Sequence, residues 1–163
     1  MNRIVDVEKA VKLSKRFKKM GKTVILTGGC FDVIHLGHIK FLEAAKKTGD
    51  ILFAFIESDE NVRKIKGDQR PIHNQDERAQ ALEAIRPIDY VIKIPFIKNN
   101  DEYDKLVIKL NPSIIAITKD SSALEHSLRQ SKIIGAKLIQ VIGHIPQHST
   151  TKIAQIILDE NKL

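Results

Sequence analysis

Two patterns of apolar and polar positions alternate along the chain. Short aliphatic runs such as "KTVIL", "ILFAFI" and "SIIAIT" are typical of buried strands. Between them lie longer stretches with apolar residues at helical spacing, and several of these begin near Ser or Asn and end at Gly. These patterns predict strands over 22–26, 51–56, 90–94, 113–118 and 137–142, and helices over 6–20, 37–50, 58–67, 74–86, 100–110, 122–135 and 149–160.

Strands separated by helices predict an α/β fold. We expect a doubly wound, Rossmann-like sheet of five parallel strands with helices on both faces. The whole chain, 1–163, is interpreted as one domain, with an N-terminal helix within 1–21 that packs on the core. Ligands of such sheets bind beyond the carboxyl ends of the strands, so the segments "TGGCFDVIHLGH", "TKDSS" and "GHIPQHSTT" are the candidate binding loops.

Composition and charge narrow the class of protein. The chain of 163 residues has one cysteine, Cys30, which excludes an internal disulfide and a multi-cysteine zinc site. No apolar stretch approaches 18 residues, so we expect a cytoplasmic protein without a membrane segment. The net charge is +7, and much of the excess lies in 12–22. Because the apolar positions Val7, Val11 and Phe17 fit one helix face, we interpret the lysines as a solvated outer face rather than a nucleic-acid surface.

The loop after the first predicted strand combines two glycines with two histidines. Gly28 and Gly29 allow backbone N–H groups to approach a ligand, although neither common phosphate-binding fingerprint is present. His35 and His38 are three residues apart at a predicted helix start, where free N–H groups and the helix dipole favour an anion. Without an evident third ligand, a protein metal site is not predicted. These residues favour phosphate contact over core or capping roles.

This loop resembles a known family signature. "GCFDVIHLGH" is similar to the HxGH motif of the cytidylyltransferase-like nucleotidyltransferases, and "VRKIKGDQRPI", "ERAQALEAIRPIDYVI" and "STTKI" follow in that family's order. The resemblance runs from about Val24 to Ile157. It implies transfer of a nucleoside monophosphate from a triphosphate to a phosphorylated small molecule, with release of pyrophosphate. It also implies magnesium, carried with the triphosphate and held mainly by phosphate oxygens and water.

The resemblance assigns roles residue by residue. The implied catalytic residues are His35, His38 and Lys46, with a solvated helix lysine as the alternative for Lys46. The implied nucleotide-binding residues are Gly29, Cys30, Phe31, Asp120, Ser149, Thr150 and Thr151. Lys66, Arg70 and Arg78 are the implied contacts to phosphate or acceptor. The plainer interpretations are an N-cap for the 149–151 hydroxyls and an Arg78 ion pair with Asp76 or Glu77.

The substrates are less sharply indicated than the reaction. The N-terminal helix, "KGDQRP" and "STT" most resemble adenylyltransferases that activate heptose 1-phosphate, so ATP is favoured over CTP. Glycerol-3-phosphate cytidylyltransferase activity, FAD synthetase activity and a non-catalytic nucleotide- or RNA-binding module are the alternatives. Thr118 and Lys119 stand where relatives carry small residues, which weakens the choice of acceptor. The resemblance also implies a homodimer. From the apolar stretches and the charge pattern we expect no membrane partner and no nucleic acid.

Overall fold

The helices and strands follow the predicted alternation closely. The computed structural model describes residues 3–119 and 121–143. In chain order the elements are β1 (Ile4–Val5), α1 (Val7–Lys19), β2 (Val24–Gly29), α2 (Leu36–Lys46), β3 (Ile51–Ile56), α3 (Asp59–Lys66), α4 (Gln75–Glu83), β4 (Tyr90–Lys93), α5 (Asn100–Leu110), β5 (Ile114–Ile117), α6 (Leu124–Ile134) and β6 (Lys137–Gln140). The predicted helix over 149–160 lies outside the described residues.

The sheet is parallel throughout and has the strand order β1-β4-β3-β2-β5-β6. The described residues thus form six strands, and the prediction of five is wrong. The additional strand is β1, in which Ile4 and Val5 pair with Val91 and Ile92. Two residues are too few to show an alternating pattern, so periodicity could not reveal this edge strand.

Two apolar cores lie on opposite faces of the sheet, which confirms the predicted helices on both faces. One core contains Phe41 and Leu42 of α2 together with Leu82 of α4. The other contains Val107 and Leu110 of α5, with helices α1 and α6 packed beside it. The chain leaves the centre of the sheet in opposite directions after β2 and after β5. Neighbouring loops from these two strands therefore separate at their carboxyl ends and leave a crevice.

Side-chain caps set the first residues of α3 and α4. Ser58 accepts a hydrogen bond from the Asn61 N–H at 3.2 Å and begins α3. Asn74 and Glu77 form a reciprocal capping box at the start of α4. Both caps satisfy backbone donors that the first helical turn leaves free, and they set where the two helices begin.

Helix α1 packs on the core and exposes its basic side chains. Ala10 and Ser14 are fully buried, and the Ser14 hydroxyl donates to the Leu110 carbonyl at 2.7 Å. The helix exposes Lys12, Lys15, Arg16, Lys18 and Lys19, as a solvated face requires. None of the described helices is long and apolar enough to cross a membrane.

The turn between α2 and β3 has little room for a side chain at Gly49. A Cβ at Gly49 would lie 2.8 Å from Cγ2 of Thr23 and 3.0 Å from Cγ1 of Ile25. We expect Gly49→Ala to lower the free energy of unfolding by about 1–3 kcal/mol, because the clash must displace a core residue. Chemical denaturation measures the change. Gly143→Ala is the matched control, since a Cβ there meets nothing within 4 Å; equal stability of the two variants would contradict this account.

Candidate active site

The carboxyl ends of β2, β3 and β5 open into a cavity of about 920 Å³. Helices α3, α5 and α6 complete its walls. Of the residues assigned from the sequence, the cavity is lined by Gly29, Cys30, Phe31, His38, Lys66 and Arg70. The structure therefore brings together side chains from two separate segments, the loop after β2 and the loop after α3.

The turn that follows β2 is tightly packed. Phe31 has φ +46°, a left-handed conformation that is uncommon for a bulky residue. Its ring lies against Gly29, where an added Cβ would meet Cε2 of Phe31 at 3.0 Å. The Phe31 ring thus leaves little room for a side chain at Gly29. The strained turn directs the chain from the sheet towards the first residues of α2.

The two histidines stack at the start of α2. His35 is the N-cap residue, and its ring lies 3.8 Å from that of His38 with an angle of 22° between the planes. The Phe31 ring packs on the other side of this pair, 5.2 Å from the His38 ring. The His35 side chain makes no capping hydrogen bond to the helix. The His38 N–H donates to the His35 carbonyl at 2.9 Å. The N–H groups of Leu36 and Gly37 are therefore the donors of the first turn that could meet an anion beside the imidazoles.

Burial keeps His38 neutral. Desolvation, with smaller contributions from His35 and the charge of Lys66, lowers the pKa of His38 from 6.5 to about 4, against a weaker opposing hydrogen bond with the Val33 backbone. A neutral imidazole offers one N–H donor and does not carry a full charge into the pocket. The pKa of the Cys30 thiol is raised, mainly by burial and then by Glu57. The thiol therefore stays protonated at neutral pH, as expected for a residue that is not a nucleophile.

Asp32 fastens the loop after α3 to the loop after β2. Its side chain is 2% exposed and accepts from Arg70 Nε at 2.5 Å. It also accepts from the backbone N–H groups of Ile72 at 2.8 Å and His73 at 3.1 Å. The buried carboxylate thus fixes Arg70 at the cavity wall, which is a positioning role rather than a catalytic one.

The wall formed by α3 and its following loop is cationic. Lys64, Lys66 and Arg70 line it, and Lys64 Nζ lies 4.2 Å from the centre of the Phe96 ring. Lys66 is near enough to influence the pKa of both His38 and Cys30. Phosphate groups in the cavity would therefore meet positive charge as well as the N-terminus of α2.

Arg78 lies behind the site rather than in it. It is 1% exposed, and its guanidinium donates to the carbonyls of His73 at 2.9 Å and Cys30 at 2.5 Å. It also donates to the Glu57 carbonyl and to Asp59 Oδ1, both at 2.7 Å. The predicted ion pair with a neighbour on its own helix is wrong, because Arg78 pairs with Asp59. Its assignment as a phosphate or acceptor contact is corrected likewise, since its three nitrogens are occupied by protein.

Lys46 lies at the wrong end of the sheet for the role assigned to it. Helix α2 runs antiparallel to β2, so its last residue reaches the amino ends of the strands. There Lys46 Nζ donates to the Asp89 carboxylate and to the Asp50 carbonyl. Asp89 also accepts from the Leu52 N–H at 2.7 Å. The structure contradicts the placement of Lys46 among the phosphate-binding residues.

The geometry of this loop and cavity agrees with the comparison to family models. A model described as cytidylyltransferase-like matches residues 26–156. The chain belongs to the cytidylyltransferase-like family. The family predicted from the HxGH loop is thereby confirmed, and the domain is nucleotidyltransferase-like.

Individual relatives agree with the family. Bifunctional protein HldE from Nitratiruptor sp. is 36% identical over 155 residues, which cover 93% of this chain and 31% of that protein. Bifunctional protein HldE from Campylobacter jejuni subsp. doylei is 33% identical over 163 residues, covering 96% and 33% respectively. The chain thus spans about a third of the length of these curated relatives.

Two solved structures share the fold. A lipopolysaccharide core biosynthesis protein from Thermoplasma volcanium matches with a TM-score of 0.60 and 25% identity, covering 76% of this chain and 97% of that one. Pantoate-beta-alanine ligase from Francisella tularensis also matches with a TM-score of 0.60, at 14% identity, covering 100% and 79%. The second likeness concerns the fold alone.

Sequence reasoning missed several residues of this family site. Glu57, Asn61, Lys64, Tyr103 and His126 all line the cavity. Glu57 directly follows a predicted strand, so the rule that ligands bind at carboxyl ends could have found it. Tyr103 and His126 lie on helices without a local signal. The assigned residues Asp120, Ser149, Thr150 and Thr151 lie outside the described residues.

Removing the Asp32 charge tests whether it fixes the loop. We expect Asp32→Asn to lower the free energy of unfolding by about 2–4 kcal/mol, because it leaves Arg70 without its buried partner. Denaturant titration measures the loss. Asp68→Asn, an exposed change in the same loop, serves as the control. If Asp32→Asn is no less stable than this control, the carboxylate does not hold the loop.

The lowered pKa of His38 predicts a pH dependence of stability. Between pH 6.5 and about 4 the unfolded chain binds a proton at this position that the folded chain does not. The free energy of unfolding therefore falls as the pH falls through this range. We expect His38→Asn to lose roughly 2 kcal/mol less than the parent protein over the same range. Parallel losses in both proteins, measured by denaturation from pH 7.5 to 4.5, would rule out a neutral, buried His38.

Proposed function

We propose that this protein transfers a nucleoside monophosphate from a nucleoside triphosphate, ATP in preference to CTP, to a phosphorylated small molecule. The preferred acceptor is a sugar 1-phosphate such as heptose 1-phosphate, and pyrophosphate is the second product. The observation that carries the proposal is the neutral His38 at the start of α2, in a cavity that Lys64, Lys66 and Arg70 also line.

The reaction needs positioning and charge stabilisation more than a covalent nucleophile. An oxygen of the acceptor phosphate attacks the α-phosphorus and forms a new P–O bond. The bond between the α-phosphorus and the bridging oxygen breaks, and its electron pair leaves with pyrophosphate. Negative charge grows on the oxygens around the α-phosphorus during this step. Preorganised N–H donors and lysine charges at that place lower the barrier.

Each part of the site has a separate task in this scheme. The N–H groups at the start of α2 and the imidazoles of His35 and His38 donate to the triphosphate. Lys66 and Arg70 bind phosphate groups of the substrates. Asp32 and Arg78 contact no substrate and act as positioning residues, because each fixes backbone or side chains that do.

Magnesium is proposed to enter with the triphosphate. Among the residues that the structure describes, no three His, Cys, Asp or Glu side chains come together as a metal-binding group. Phosphate oxygens and water are therefore the proposed principal ligands. When bound, the ion neutralises charge on the leaving pyrophosphate.

Two lines of likeness support a sugar phosphate as acceptor. One is the sequence resemblance to enzymes that activate heptose 1-phosphate, and the other is the similarity to the solved lipopolysaccharide core biosynthesis protein from Thermoplasma volcanium. Both concern other proteins, so the acceptor is the part of the proposal that needs a direct test.

Release of pyrophosphate tests the reaction. The assay combines ATP or CTP with magnesium and a panel of sugar 1-phosphates, glycerol 3-phosphate or FMN. We expect release only when both substrates are present. We expect kcat to fall about 10²- to 10³-fold in His38→Ala and at least about 10-fold in Lys66→Met, because each removes a donor to the transition state.

A lysine elsewhere on the surface gives the control for this assay. Lys40→Met changes an exposed side chain of α2 that pairs with Glu43, and its activity should equal that of the parent protein. Failure of the unaltered protein to release pyrophosphate with any acceptor, despite measurable binding of ATP, would contradict the proposed transfer.

A further inference from the structure

A buried carboxylate in the cavity has no part in the proposed reaction. Glu57 directly follows β3, is 6% exposed and lines the cavity beside the loop after β2. Its backbone is fixed on both sides, because its N–H donates to the Gly29 carbonyl at 3.3 Å and its carbonyl accepts from Arg78 at 2.7 Å. The side chain thus has one well-defined place at the end of the central strands.

Two donors orient this carboxylate and leave it able to accept more hydrogen bonds. The Tyr103 hydroxyl donates to Oε1, and Asn61 Nδ2 donates to Oε2 at 3.0 Å. Burial and the neighbouring Glu57 raise the pKa of Tyr103 well above its usual value, so the hydroxyl remains a donor at every working pH. Each carboxylate oxygen accepts two hydrogen bonds when fully satisfied, and each has one in this network.

The cavity holds charges of both signs. Lys64, Lys66 and Arg70 attract phosphate, whereas the Glu57 carboxylate, directly after β3, repels it. A substrate group that contacts Glu57 is therefore well matched if it carries no phosphate and donates hydrogen bonds to the remaining lone pairs of the carboxylate. Sugar hydroxyls have this chemistry.

We propose that Glu57, held in place by Tyr103 and Asn61, binds the hydroxyl groups of a sugar ring in the substrate. The inference rests on the proposed nucleotidyl transfer and names what the site recognises beyond phosphate. The sugar is either the ribose of the nucleoside triphosphate or the ring of the acceptor, and the two are separable by binding measurements.

Calorimetry with magnesium and two nucleotides tests whether the sugar that Glu57 binds is the ribose of the nucleotide. Glu57→Gln removes the charge with little change of size. If Glu57 binds ribose, the variant binds ATP about 10- to 100-fold more weakly, the effect of losing hydrogen bonds to a charged group. Its affinity for 2′,3′-dideoxy-ATP, which lacks both hydroxyls, then equals that of the parent protein.

A second titration tests whether the sugar that Glu57 binds is the ring of the acceptor. Glucose 1-phosphate, mannose 1-phosphate and glycerol 3-phosphate are titrated into the protein saturated with a non-hydrolysable ATP analogue. If Glu57 binds the acceptor ring, Glu57→Gln weakens the binding of one or both sugar phosphates about 10- to 100-fold and leaves both nucleotide affinities unchanged. Glycerol 3-phosphate, which has no ring, is affected less.

Two further variants separate recognition from a structural role. Tyr103→Phe keeps the carboxylate but removes the donor that orients it, so it should weaken the same ligand as Glu57→Gln by a smaller factor. Glu43→Gln, on the exposed face of α2, is the matched control and should bind every ligand like the parent protein.

Equal affinity of Glu57→Gln and the parent protein for every ligand would overturn the inference. A uniform loss of affinity for all ligands, dideoxy-ATP included, would also overturn it, since that is the result of a structural defect. A different result contradicts the proposed transfer: the unaltered protein binds these ligands but releases no pyrophosphate. The pattern of dissociation constants still decides the role of Glu57 in that case. An unaltered protein that binds none of the ligands contradicts both.

Discussion

One buried guanidinium fixes the strand ends on which the rest of the site depends. Arg78 joins the carbonyl of Cys30 after β2, the carbonyl of Glu57 after β3 and the carboxylate of Asp59 in α3. A parallel sheet aligns its strands but does not by itself set the loops beyond them. Because the charge is fully enclosed, its hydrogen bonds have no competition from water, and leaving any of them unmade is costly. The two loops consequently behave as one unit.

The chemistry of the cavity follows from that arrangement. The loop after β2 presents the stacked imidazoles and the N-terminus of α2, while Asp32 holds the loop after α3 against it. Burial that stabilises the turn also keeps His38 neutral. Donors and cations therefore line the same cavity of about 920 Å³. The same constraint that orders the backbone produces a site suited to phosphate.

The sequence was informative where chemistry lies next to a strand in the chain. The alternation of strands and helices predicted the parallel sheet, and the HxGH loop predicted the family. It misled where long-range packing decides. Lys46 lies in a helix that begins at the site, but the length of that helix takes it to the opposite end of the sheet, beside Asp89. Arg78 was expected to contact phosphate or acceptor, or to pair with Asp76 or Glu77. Its partners Cys30, Glu57 and Asp59 instead lie in loops and a helix that are far away in the chain.

The most direct test of the central claim locates the bound triphosphate. Two-dimensional ¹⁵N–¹H NMR of the full chain is recorded during titration with magnesium-ATP. The account predicts that the largest amide shift changes lie in 28–38 and at Lys66, while the exposed basic face of α1, including Lys12 and Lys15, changes little. Changes concentrated on α1, with 28–38 unaffected, would contradict it and would indicate that charge alone binds the nucleotide.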